Sequence, residues 1–188
     1  MSKSGGNGVP ERGTDWAAEF PALFEPWQVP YAPVVAQFET DRPMDALISR
    51  IHVVARTEGG VVVCRSANGW RFLPGGTREP GETVEQTVDR ELVEEAGARR
   101  TGSLTWIGAH RADHRGPQPY RPHLPHPLAF WAYAATDVVI EQAPTNPADG
   151  EDVVEVRALP VAEAVAFLTP NDPIHADVLR LAERMGLF

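Results

Sequence analysis

The 188-residue sequence predicts an α+β fold, a mixed β-sheet packed between helices. Three observations carry this: strand-like runs surround one mid-chain helix, two further helices close the chain, and no internal repeat interrupts the order. Ile48 to Ala55 alternates, with Ile51, Val53 and Ala55 on one side and His52 and Val54 on the other. Glu58-Gly59-Gly60 reads as a hairpin turn and Gly60 to Arg65 as the partner strand. Ala67-Asn68-Gly69 marks a second turn. Trp70 to Leu73 is a short strand, stopped by Pro74 and Gly75-Gly76. Leu104 to His110, Leu128 to Ala135 and Val153 to Ala158 are further strands, which puts Trp106 and Trp131 in core packing. Pro160 to Leu168 and Ile174 to Met185 are helical, the second placing Ile174, Val178, Leu181 and Met185 on one stripe.

Three segments precede or make up this unit. Residues 1–15 are polar and rich in Gly and Ser, and read as a disordered tail. Residues 16–46 form an arm in which Trp16, Phe20, Phe24, Trp27, Tyr31 and Phe38 alternate with Pro21, Pro26, Pro30 and Pro33. The prolines exclude a long helix. The arm is expected to be an irregular cover over one edge of the core; a homodimer contact and a part in the substrate pocket are the alternatives. Residues 47–188 form the main domain.

Composition narrows the function. A hydrophobic content of 43% supports a sizeable core, and a formal net charge of -9 argues against a nucleic-acid binder, which needs a basic face. Nucleotide substrates stay open, because bound cations invert the local field. Cys64 is the single cysteine. It lies in the run Val61-Val62-Val63-Cys64 and reads as a buried structural thiol. No apolar run approaches the roughly 20 residues of a membrane span. The first 13 residues have no apolar signal core. A cytoplasmic protein without a membrane partner is the default expectation.

The mid-chain helix carries the chemistry. Gly75-Gly76 lets the chain turn sharply after a strand. Thr83-Val84-Glu85-Gln86 fits a capping box, and Gly97 is a good residue to end on. Val84, Thr87, Val88 and Leu92 form the inward stripe. Glu91 and Glu95 fall on that same stripe, and Glu94 on its flank. Acids on an inward face cost desolvation unless paired or bound to metal. Crowded at adjacent turns, they call for a positive group between them, and a divalent cation is the obvious one. The plainer alternative is a solvated acidic face held by ion pairs to Arg90 and Arg99. The glycine turn, with Glu82 and Arg90 at fixed spacings, argues against it.

From Gly76 to Ala98 the chain reads Gly, five residues, Glu, seven residues, Arg-Glu, an aliphatic, one residue, Glu-Glu, one residue, Gly and a small apolar residue. This resembles the Nudix box, the signature of the Nudix hydrolases, with Ala98 in place of the usual branched aliphatic. The approach Trp70-Arg71-Phe72-Leu73-Pro74 is also similar to the family. The resemblance implies an α/β/α sandwich, with residues 47–188 as a Nudix hydrolase domain. It implies that the Gly75 carbonyl, Glu91, Glu94 and Glu95 bind or serve Mg²⁺ or Mn²⁺, and that Glu82 and Arg90 hold them in place. The implied reaction is attack of water on a phosphorus of a pyrophosphate link in a nucleoside diphosphate derivative: a nucleoside triphosphate, a nucleotide sugar or ADP-ribose. Glu91 is the first candidate base and Glu94 the second, with Glu151 and Asp152 as alternatives.

Between His110 and Pro127 lie four histidines, three arginines and several prolines. Their spacing does not suit a transition-metal site. A loop bordering the cleft fits better, with Arg111, Arg115 and Arg121 gripping phosphates, Tyr120 stacking on a ring, and Glu151 nearby. Two rival functions remain. A Nudix-fold module that binds nucleotide without turnover would carry a degenerate box, and this box is intact. Isoprenoid diphosphate isomerisation would want a catalytic cysteine, and Cys64 reads as buried.

Overall fold

The computed structural model describes residues 15–148 and 150–188. The tail expected to be disordered falls almost wholly outside them. The chain opens with two single-turn helices, α1 (Trp16–Glu19) and α2 (Pro21–Phe24), then β1 (Trp27–Gln28) and β2 (Val34–Glu39). A short 3₁₀ turn leads into β3 (Ile48–Thr57), β4 (Gly60–Ser66), β5 (Arg71–Phe72) and β6 (Gly75–Thr77). Next come α3 (Val84–Glu91), β7 (Ala98–Arg100), β8 (Thr105–His114), β9 (Leu128–Ile140), β10 (Val153–Leu159), α4 (Val161–Leu168) and α5 (Pro173–Arg184).

The main path of the sheet runs β1-β2-β8-β9-β3-β4-β10. It is mixed: β3 and β9 are parallel, whereas β8 and β9 are antiparallel. Alternation along the strands makes two apolar faces. Ile51, Val53 and Ala55 of β3, with Val62 and Cys64 of β4, pack against Val84 and Val88 of α3 and Leu92 just beyond it. Val54, Val61 and Val63 point the other way, onto α2, α4 and α5 through Leu23, Leu168, Val178 and Leu181. The sandwich of helices about one mixed sheet is therefore observed. Cys64 is buried as expected, and burial pushes its thiol well above the ordinary range.

The arm departs from its expected irregularity. β2 pairs residue by residue with β8, from Val34 opposite His114 to Glu39 opposite Ala109. The sheet thus continues across the boundary expected near residue 47. Phe38 packs edge-on against Phe24 and His110, which fastens the arm to the core. β8 and β9 also run longer than their sequence patterns suggest, to His114 and Ile140.

β3 and β4 separate at their other ends. They pair only at Arg56 with Val61 and Thr57 with Gly60. Further along, β3 pairs instead with β6, placing Arg50 opposite Thr77 and His52 opposite Gly75. This split opens a cleft into which side chains from both faces of the sheet reach.

Gly108 is the tight point between arm and core. A Cβ there would stand 2.4 Å from the Phe38 ring and 2.8 Å from the Glu39 carbonyl oxygen. Gly108→Ala is expected to lower stability by about 1–3 kcal/mol through overpacking, measurable by urea denaturation. An unchanged midpoint would mean that the arm does not dock as described.

Candidate active site

The acidic residues stand where α3 ends. Thr83 caps the helix with a reciprocal capping box, its hydroxyl accepting from the Gln86 N–H while the Gln86 side chain accepts from the Thr83 N–H. Val84, Thr87, Val88 and Leu92 are buried, as the wheel predicts. The end differs from a regular α-helix. Leu92–Ala96 is a wider π turn, closed by Gly97 in the left-handed conformation with φ of 59°. Such wide turns recur at functional sites. The loop before β10 satisfies the carbonyls this turn frees: Thr145 and Asn146 donate N–H groups to the Val93 and Glu94 carbonyls.

Arg90 organises the carboxylates. Its Nε donates to Glu82 at 2.7 Å, and its Nη2 to Glu82 at 3.2 Å and to the Thr77 carbonyl at 3.0 Å. Its Nη1 donates to Glu91 and to Glu94, both at 2.9 Å. All five guanidinium N–H groups are thereby used. Glu82 also accepts from the Glu79 N–H and the Thr87 hydroxyl. Burial alone would raise the Glu82 pKa, but these hydrogen bonds outweigh it and hold it below the ordinary value.

Glu91 and Glu95 are only 7% and 6% exposed. Burial raises the Glu91 pKa, with Arg90 offsetting part of the effect. Burial, and then the neighbouring Glu91, push Glu95 well above the ordinary range. The Gly75 N–H donates to Glu95 at 2.8 Å. Gly75 needs to be glycine, since its φ is +143° and a Cβ would meet the Ile51 carbonyl at 2.3 Å. At Gly76 a Cβ would sit 2.3 Å from Glu91 Oε1, so the missing side chain makes the room for that carboxylate.

The donors are all oxygen, which suits a hard divalent cation. The charge balance suits it too, because one guanidinium faces four carboxylates. Among the described residues no three His, Cys, Asp or Glu side chains are already gathered at metal-binding geometry. Arg90 and the Gly75 N–H hold the carboxylates in place instead.

A cleft of about 850 Å³ runs from these acids to the far side of the split. Gly75, Gly76, Arg90, Glu91, Glu94 and Glu95 line one end. Of the five loop residues expected to contact substrate, Arg121 and Glu151 line the cleft, while Arg111, Arg115 and Tyr120 do not. Arg111 pairs with Asp113 on β8, and Tyr120 projects into solvent beneath Arg121. Arg121 itself is paired with Glu79. The four histidines do not converge on one site: His110 is buried between Trp27, Phe38 and Tyr133, His123 meets the Arg78 carbonyl, and His126 meets the Gly116 carbonyl with the His114 ring 6.0 Å away.

Several cleft residues carried no sequence signal. Trp131 is half-buried in the wall with Arg50 stacked 5.7 Å above it, not sunk in the core. Trp27 and Tyr31 bring the arm into the cleft, the arrangement the plain edge-cover reading leaves out. His52, Tyr133, Asp172 and His175 form the far wall.

Two outcomes follow from the acid end. Gly76→Ala is expected to leave the melting temperature nearly unchanged, because a flexible carboxylate can yield. It should weaken divalent-ion affinity by about 10–100-fold, read by calorimetry. The second concerns pH. Glu91 and Glu95 have folded pKa values raised above the ordinary 4.5, so the fold binds their protons more tightly than the unfolded chain does. Their protonated forms favour the fold at low pH, and this stabilisation is lost as pH rises from about 4.5 towards the raised values. Without metal, the contribution of these two groups to the melting temperature should fall across that window, and Mg²⁺ should raise the melting temperature more at neutral than at acidic pH. Equal Mg²⁺ shifts at both pH values would contradict the assignment.

Comparison with known proteins bears on the family and the fold. A family model described as NUDIX domain matches residues 47–182. Among solved structures, the Bacillus subtilis pyrophosphohydrolase BsRppH is similar at a TM-score of 0.60 and 18% identity, covering 86% of this chain and 98% of its own. A NUDIX hydrolase from Nitrosomonas europaea is similar at 0.53 and 15%, covering 73% and 89%. The MutT protein from Methanosarcina mazei is similar at 0.51 and 17%, covering 74% and 94%. At these identities the likeness is one of fold. No curated protein matches the chain. With the family model spanning residues 47–182 and the acidic helix folded against its glycine turn, the chain belongs to the Nudix family.

Proposed function

We propose that the protein is a divalent-metal-dependent hydrolase that cleaves a pyrophosphate link in a nucleoside diphosphate derivative. The observation that carries this is the burial of Glu91 and Glu95 beside Glu94 and Gly75, with one arginine to neutralise them. A nucleoside triphosphate, a nucleotide sugar and ADP-ribose all contain the required link. Mg²⁺ or Mn²⁺, held by the Gly75 carbonyl, Glu91, Glu94 and Glu95, would neutralise phosphate charge and acidify a water.

The chain's own residues supply the rest. Glu91 is the candidate base: its raised pKa suits a group that must take a proton from water, and Gly76 leaves it room. Glu94 is the second candidate, being more open to the cleft. Arg90 and Glu82 fix the orientation of both. Arg50 lines the cleft with no carboxylate within ion-pair distance among the described residues, so its charge is available to a phosphate oxygen.

One observation favours a second reading, nucleotide binding without turnover. Arg90 already engages Glu91 and Glu94, and no three ligands are gathered among the described residues. The two readings separate on a panel of nucleoside triphosphates, nucleotide sugars and ADP-ribose incubated with Mg²⁺. Hydrolysis is expected for at least one, removable by chelation. Glu95→Gln should cut it about 100-fold or more while keeping the melting temperature. Turnover of none, or equal turnover by the variant, would sink the hydrolase reading.

A further inference from the structure

The far wall of the cleft holds three neutral polar groups, and the backbone of a single residue sets the hydrogen-bonding polarity of two of them. The His52 Nδ1 lies 3.1 Å from the Leu73 carbonyl oxygen. A carbonyl only accepts, so His52 carries its proton on Nδ1 and its Nε2 is a bare acceptor. The Leu73 N–H donates to the His175 Nδ1 at 3.2 Å. An N–H only donates, so His175 is bare at Nδ1 and carries its proton on Nε2. Asp172 also stands 3.2 Å from that Nδ1, but makes no aligned hydrogen bond with it; its other oxygen caps α5 by accepting from the His175 backbone N–H.

The two rings stand 4.6 Å apart, centre to centre, and the Tyr133 ring lies 6.2 Å from His52 and 5.8 Å from His175. All three residues line the cleft. Among the described residues neither Nε2 nor the Tyr133 hydroxyl has a protein hydrogen-bond partner, and His175 and Tyr133 are only 6% and 4% exposed. The groups stay uncharged: burial lowers His52 well below its ordinary value, lowers His175 to about 3, and raises Tyr133.

A fixed acceptor beside a fixed donor suits a ligand edge of equally fixed polarity. A sugar hydroxyl turns to suit either neighbour and needs no such arrangement. A nucleobase edge sets a donor next to an acceptor in one plane. Flat surfaces for such a plane flank the wall: Trp27 and Trp131, together with the exposed rings of Tyr31 and Trp70. His52 sits opposite Gly75, whose N–H holds Glu95, so one strand pairing links the wall to the acids. We propose that His52, His175 and Tyr133 form the base-reading site of this cleft, with the His52 Nε2 accepting from, and the His175 Nε2–H donating to, the edge of a nucleobase whose diphosphate lies at the acidic end.

This rests on the pyrophosphate-hydrolase reading for the placement of the phosphates, and the test keeps the two apart. The full chain in Mg²⁺ is titrated with the α,β-methylene diphosphates of uridine, cytidine, adenosine and guanosine, and with the α,β-methylene analogue of ribose 5-diphosphate, which lacks a base. Nitrogen NMR should show His52 protonated at Nδ1 and His175 at Nε2. At least one nucleotide should bind about tenfold or more tighter than the base-free compound, the return of one or two well-made hydrogen bonds. That nucleotide should move both Nε2 signals, and the base-free compound neither. Equal affinities, or unmoved Nε2 signals under saturating nucleotide, would overturn the base-reading site. Mg²⁺-dependent cleavage of ribose 5-diphosphate derivatives, scored separately, would in that case leave the hydrolase reading standing.

Discussion

Three carboxylates, Glu82, Glu91 and Glu94, share the Arg90 guanidinium beside a fourth, Glu95, and the rest of the site is arranged around that imbalance. Acids at a helix C-terminus face the negative end of the dipole. Here they are also buried and adjacent, so desolvation and mutual repulsion add to the penalty. Arg90 uses every N–H it has and leaves Glu95 to a single backbone donor. The arrangement would be a poor way to stabilise a helix, and it makes sense as a way to hold negative charge ready for a cation.

The backbone bears the strain of this design in identifiable places. The π turn over Leu92–Ala96 widens the helix and frees carbonyls, which the loop at Thr145 and Asn146 then satisfies. Cys64 contributes from the sheet, its thiol 3.4 Å from the Glu95 carbonyl. Gly75 and Gly76 remove the side chains that would otherwise fill the space taken by β3 and by Glu91. Acid placement and glycine placement are thus one constraint seen from two sides.

The acidic end was legible in the sequence because its information is local. Thr83, Gln86, Arg90, Glu91 and Gly97 lie within one helix, where spacing translates directly into geometry. The π turn was not legible, since nothing in Leu92 to Ala96 distinguishes it from a regular turn. The strands of the arm are hidden because Pro26, Pro30 and Pro33 argue against regular structure, yet they flank β1 and β2 without interrupting them. The spacing of Arg111 points to a loop for a similar reason. β8 runs on to His114, so Arg111 belongs to a strand and faces Asp113 rather than a ligand. His52, Leu73 and His175 meet only through the split between β3 and β4 and the start of α5, over separations that no sequence pattern reports.

Charge runs along the cleft in a definite order. Acids stand at one end, Arg50 is carried on the wall, and uncharged rings stand at the other. The neutrality of those rings has a mechanistic consequence. Imidazolium groups at His52 and His175 would offer a diphosphate a cationic alternative to the acidic end, and the substrate would have two orientations of similar merit. Burial keeps both rings neutral, and the Leu73 backbone assigns each its proton. The rings themselves then offer phosphate no cationic seat, and Arg50 is the one cation beside them among the described residues that line the cleft between the acids and the rings. On the proposed reading, orientation of the diphosphate depends as much on the neutrality of the His52 and His175 rings as on the concentration of carboxylates at the end of α3.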